Sequence, residues 1–117
     1  MYKRQASNNV AVGYRSLGGN TTGTRNVAIG TCSFLVSTTA CDSVMIGFTA
    51  GDAITTGTSN TGVGADVMTS TTTGQKNVAM GNSALGNNTT GSTNTAIGFY
   101  SLLASTTAEY NLSLIHI

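Results

Sequence analysis

An all-β fold, a parallel β-solenoid with a 17-residue repeat, is what this 117-residue chain predicts, and three observations carry the expectation. Glycines recur at Gly13, Gly30, Gly47, Gly64, Gly81 and Gly98 without a slip in spacing. The residues leading into them spell nearly the same phrase, Asn-Val-Ala-Val from Asn9, Asn-Val-Ala-Ile from Asn26, Asn-Val-Ala-Met from Asn77 and Asn-Thr-Ala-Ile from Asn94. Ten residues after each glycine stands a second landmark, Thr-Thr-Gly or Thr-Thr-Ala, ending at Gly23, Ala40, Gly57, Gly74, Gly91 and Ala108. An internal period of this kind governs how every other residue is read.

Composition narrows the choice of repeat. The chain has no proline or tryptophan, only 8% charged residues, and an abundance of glycine, threonine, serine and asparagine, which are poor helix formers. Helical repeats need about 33 or more residues per unit, and heptads need a leucine-rich seam flanked by charge. Seventeen residues with β-branched positions and two small-residue corners suit one turn of a solenoid, expected as a flattened loop of two short strands. Parallel pairing stacks successive coils about 4.8 Å apart, so each column of the repeat becomes a ladder along a rod of roughly 30 Å.

Six coils fill residues 9–110. Residues 1–8 read as a partial incoming coil. Residues 111–117 read as an out-of-register tail, because Ile115 stands where a glycine belongs and Leu112-Ser-Leu-Ile-His-Ile117 resembles translated adapter sequence. The chain as a whole is expected to be a fragment of a longer fibre.

Counting the repeat from its asparagine, position 1 holds Asn9, Asn26, Ser43, Asn60, Asn77 and Asn94. Two roles fit it: side-chain amides stacked and bonded along the rod, or a turn residue tolerant of left-handed backbone. Positions 2 and 4 alternate with small residues at position 3, which implies two faces. The branched column Val12, Ile29, Ile46, Val63, Met80 and Ile97 is expected to fill the interior together with Leu17, Phe34, Met68, Leu85 and Leu102 from the opposite leg. The alanine column between is then expected to face outward, leaving room for a second backbone. The glycine column marks a corner with positive φ or with no space for a Cβ.

Charge gives an independent check, since ionised groups avoid packed faces. Arg15 and Asp66 fall at position 7, Asp52 at 10, Glu109 at 16, and Arg25, Asp42 and Lys76 at 17, with none of them in positions 1 to 5. Arg25 should stand one coil from Asp42 as a surface ion pair. A coil this thin buries little apolar area against the roughly 1–2 kcal/mol of backbone entropy lost per ordered residue. Self-association offsets that deficit, and a homotrimer with the small-residue face on its axis is the expected form.

The same composition excludes several functions. A net charge of +1 supplies no basic stripe for nucleic acid. No run approaches the roughly 18 apolar residues of a membrane span, so this segment is expected to make no membrane contact. One histidine, three aspartates and one glutamate, scattered over separate coils, assemble no nucleophile, base and orienting acid, and no catalysis, cofactor or metal is expected. Cys32 and Cys41 sit at opposite corners of one coil, beyond the roughly 7 Å reach of a disulfide, and are expected as free thiols. The threonine ladder raises ice binding, yet the Thr-x-Thr spacing of a flat double rank, as at Thr22/Thr24, Thr56/Thr58 and Thr71/Thr73, does not keep one register.

The phrases Asn26-Val-Ala-Ile-Gly-Thr-Cys-Ser33 and Asn94-Thr-Ala-Ile-Gly-Phe-Tyr-Ser101, repeated in one register over residues 6–111, resemble the head repeats of trimeric autotransporter adhesins of the YadA type. Similar repeats occur in tail-fibre-like phage proteins. The resemblance implies a left-handed parallel β-roll, a homotrimer, and surface attachment with collagen or other matrix components as ligands; glycans are a further ligand class that the polar columns of the repeat suit. The unit is longer than that family's commonest repeat and lacks the serine that often follows its asparagine. Location at the cell surface, anchored in the outer membrane through other regions, or on a virion tail is the matching expectation.

Overall fold

The computed structural model describes residues 7–115. The expected partial coil over 1–8 therefore lies, apart from Ser7 and Asn8, outside the described residues, as do His116 and Ile117 at the end of the tail.

Seven short strands form one parallel sheet in chain order: β1 (Val10–Val12), β2 (Val27–Ile29), β3 (Val44–Ile46), β4 (Thr61–Val63), β5 (Val78–Met80), β6 (Thr95–Ile97) and β7 (Leu112–Ser113). Each residue pairs with the one seventeen further on, as in Val10↔Val27 and Val27↔Val44. The fold is the all-β parallel solenoid that the period predicts, drawn out to 49 × 23 × 17 Å. The register does not stop at Asn111. Thr95 pairs with Leu112 and Ala96 with Ser113, which corrects the tail's out-of-register start, because parallel pairing uses backbone groups that every non-proline residue has.

The glycine column ends each strand. Its φ angles run from 123° at Gly98 to 139° at Gly47, a region where side chains are strained. Space is absent as well, since a Cβ on Gly81 would stand 2.7 Å from the carbonyl oxygen of Gly98. The backbone still pairs through this corner: Gly30 N donates to Val12 O at 2.8 Å and Gly98 N to Met80 O at 2.7 Å.

Among the described residues no second strand follows in any coil. The opposite leg is a run of turns, a correction to the two-stranded coil, and its cause is backbone handedness. Positions 7 and 9 hold left-handed residues that are not glycine, among them Cys32 (φ 56°), Phe34 (φ 53°), Leu85 (φ 56°) and Leu102 (φ 50°). Left-handed residues cannot continue a strand, but they leave amides pointing along the rod. Phe34 N donates to Ala50 O at 2.8 Å and Leu85 N to Ser101 O at 2.9 Å, so this leg too is bonded coil to coil.

The asparagine column resolves in favour of the ladder. Asn26 N donates to Asn9 Oδ1 (2.9 Å), Asn77 N to Asn60 Oδ1 (3.0 Å) and Asn94 N to Asn77 Oδ1 (2.9 Å). Each amide nitrogen meanwhile crosses to the small-residue corner of its own coil, as Asn26 Nδ2 to Ala40 O (2.7 Å) and Asn60 Nδ2 to Gly74 O (2.8 Å). One side chain thus ties the start of a coil to its end and to the next coil. Asn26, Asn60, Asn77 and Asn94 are fully buried, and Asn9 at the first coil is half-buried.

That inward asparagine reverses the expected core. With position 1 inside, the alternation of a strand puts position 3 inside and positions 2 and 4 outside. Ala28, Met45, Ala79 and Ala96 are fully buried, whereas Val12, Ile29, Met80 and Ile97 are exposed and Ile46 and Val63 half-buried. The physical reason is width. Phe34, Met68 and Leu85, all fully buried, reach across from the turn leg and leave space for only a small partner. Leu17 is buried with them and Leu102 packs on the same cluster, so the position-9 part of the expected core stands and the branched column does not belong to it.

Candidate functional site

What the coil turns outward follows from this alternation. Positions 2 and 4 make a continuous apolar band on the sheet's outer face, with Val10, Val12, Ile29, Val78, Met80 and Ile97 all more than a third exposed. The alanine column expected to meet a second chain is inside the coil from Ala28 onward, with Ala11 in the first coil exposed, so the surface available to a partner is the branched one.

One corner further on, position 6 carries Tyr14, Thr31, Phe48, Ala65, Asn82 and Phe99. Tyr14 is 71% exposed, Phe48 57% and Phe99 58%. Phe99 stacks on Tyr100 with ring centroids 4.0 Å apart and planes 25° from parallel. These rings are not among the residues expected to matter, although an aromatic directly after the repeat glycine in three coils is visible in the sequence.

On the far corner the two threonine columns divide their work. At position 13, Thr21, Thr38, Thr55, Thr72 and Thr89 each donate Oγ1 to the carbonyl of the threonine one coil on, as in Thr21 to Thr38 O at 2.9 Å. Position 14 turns Thr22, Thr39, Thr56, Thr73, Thr90 and Thr107 into solvent as an exposed rank. Position 12 adds a second set of inward amides. Asn20 and Asn88 point inward and donate Nδ2 to Gly23 O (3.1 Å) and Gly91 O (3.0 Å), the same carbonyls that the position-1 asparagines hold. The words Asn-Thr-Thr-Gly at 20–23 and 88–91 carried that information.

Charged groups are few and local. Arg25 and Asp42 form the expected pair across one coil step, with Nη2 2.9 Å from Oδ2. The hydrogen bond from Arg25 holds the Asp42 carboxyl below its ordinary value. Burial pushes Asp52 upward, Asp66 adds to the effect, and the Oδ1 of Asp52 is buried without a hydrogen-bond partner. Thr49 Oγ1 bonds Asp66. Cys32 and Cys41 are free thiols, both half-buried. Among the described residues no three His, Cys, Asp or Glu side chains gather as metal ligands, and no helix is long and apolar enough to cross a membrane.

Beside the last full coil a cleft of about 580 Å³ opens between Tyr100, Leu102, Leu103 and Ile115. It lies where the column of stacked coils runs out. What the arrangement offers chemically is a set of surface ladders: one apolar, one partly aromatic, and one of hydroxyls. No family model, curated protein or solved structure matches the chain.

Proposed function

We propose that this chain is a rigid segment of a surface-exposed adhesive fibre, setting distance and presenting a repetitive attachment surface, and that it assembles as a homotrimer. The observation that carries the reading is the apolar band of positions 2 and 4, which runs the length of the sheet on its outer face. Exposed apolar surface of this extent marks an interaction site on a soluble protein. The YadA-type head-repeat resemblance supplies the number three and the role in attachment to matrix protein or glycan. The outward band supplies the packing face in place of the alanine column.

Sedimentation of the chain tests the assembly: a trimer is expected, and a folded monomer would sink it. The variant I29K/I46K/I97K should shift the protein toward monomer, because each lysine would meet its symmetry mates across the axis. A phage tail-fibre stalk would use the same rod without a ligand, so binding to an array of matrix proteins and glycans separates the two roles. The exposed rank Thr22 to Thr107 favours, as a second reading, an ice-binding solenoid. Absence of thermal hysteresis would remove it.

A further inference from the structure

We infer that the position-6 column is a binding strip for an extended, neutral, β-1,4-linked glycan. The inference rests on the attachment reading above and names the ligand class and the residues that meet it. Tyr14, Phe48 and Phe99 occupy one register of the repeat, so they stand in line along the rod, two coils and then three coils apart, about 10 and 14 Å. All three are more than half exposed, and the pair Phe99–Tyr100 presents a doubled ring surface at one end.

Two properties of the strip select the occupant. The first is pitch. The coil rise of about 4.8 Å is close to the advance per sugar of an extended β-1,4 chain, so sugars laid along the rod meet equivalent positions one after another. Aromatic rings then face the C–H surfaces of some sugars, while exposed Thr31 and Asn82, in the same column between the rings, face hydroxyls of others. The second is charge. The neighbouring position-7 column contains one cation, Arg15, and one anion, Asp66. A strip with no net charge offers nothing to the phosphates of a single-stranded nucleic acid, whose bases would otherwise stack on the same rings.

The full chain is titrated calorimetrically with cellohexaose and chitohexaose, with maltohexaose as a coiled control and oligodeoxythymidylate as an anionic one. Binding of either β-1,4 hexaose at least about tenfold tighter than maltohexaose is expected. The variant Y14T/F48T/F99T should abolish that binding while its melting and sedimentation match the parent, since the column already accepts Thr31 in the same setting. F48T alone should weaken binding about tenfold and F48Y should retain it. Equal binding of maltohexaose, binding of the oligonucleotide alone, or unchanged affinity in the triple variant overturns the inference. A triple variant that sediments differently from the parent also overturns it, by placing the rings in the assembly interface. If the chain captures matrix proteins but neither hexaose, the aromatic strip fails and the attachment reading stands; if it captures nothing, both fail.

Discussion

Met45 and Gly51 exchange volume across the interior of the third coil. In the other coils a large position-9 residue such as Phe34 or Leu85 faces a small position-3 residue such as Ala28 or Ala79. Here the sizes are inverted, and the Met45 sulfur lies 2.7 Å from where a Cβ on Gly51 would stand. Gly62, one coil on, makes room as well, its added Cβ falling 2.8 Å from the same sulfur. Interior volume is conserved while the identity of each wall is not.

The exchange can be undone by mutation. Met45→Ala should cost about 2–5 kcal/mol through the cavity it leaves. Gly51→Leu alone should be destabilising by overpacking, on the order of 1–3 kcal/mol. The double variant M45A/G51L restores the arrangement of the other coils and should be more stable than either single variant. Its backbone demand is met, because Gly51 has φ 61° and Leu17 accepts φ 53° at the same position. Urea unfolding of the four proteins gives the coupling.

Ser43 is the break in the asparagine ladder. Its Oγ accepts Asn60 N at 3.1 Å and donates to Cys41 O at 3.1 Å, so it maintains the step between coils with a shorter side chain. Ser43→Asn should add a bond to Gly57 O by analogy with Asn60 to Gly74 O, and raise stability by about 1 kcal/mol. Asn77→Ala removes both the acceptor for Asn94 N and the donor to Gly91 O, and should cost roughly 1–3 kcal/mol. Thermal melts of the two variants should move in opposite directions.

Gly81→Ala should be strongly destabilising for a one-methyl change. The added carbon would meet the Gly98 backbone at 2.7 Å, at a φ of 124°. Neither neighbour is a flexible side chain that could move aside. A loss of several kcal/mol, on the order of 3 or more, is expected from strain and broken stacking together. Circular dichroism and urea titration would record it.

Two aspartates give opposite acid responses. Asp42 has its pKa lowered in the fold by the Arg25 hydrogen bond, so its contribution is present above the ordinary value of 3.8 and is lost as pH falls through the lowered one. Asp52 has its pKa raised by burial, so its ionised form weighs against the fold at neutral pH and the cost vanishes below 3.8. Asp52→Asn should therefore raise the melting temperature at neutral pH and lose that advantage in acid, while Asp42→Asn should lower it at neutral pH and become neutral in acid. Melting temperatures measured across the acid range test both signs.

The period made the number of coils, their order and their register legible, because spacing alone determines which residue pairs with which. Which face turns inward was not legible from the alternation. Hydrophobicity pointed Val12 and Ile29 inside, and the buried amides of Asn26 and its ladder mates decided otherwise. The turn leg was hidden for a related reason. Phe34 and Leu85 favour extended or helical backbone in isolation, and only the stacked coils hold them at φ 53° and 56°. The surface ladders were half visible: Thr-Thr announced itself, while Tyr14, Phe48 and Phe99 became a row only once their shared position-6 column was placed on the rod's exterior.

Strands touch only the strands directly before and after them. A pull applied to the two chain ends therefore tears the rod open one turn at a time, instead of shearing all of its ladders together. Each turn that lets go frees seventeen residues, roughly 60 Å of extended chain. Under load the molecule would lengthen in near-equal increments, the behaviour of a shock absorber.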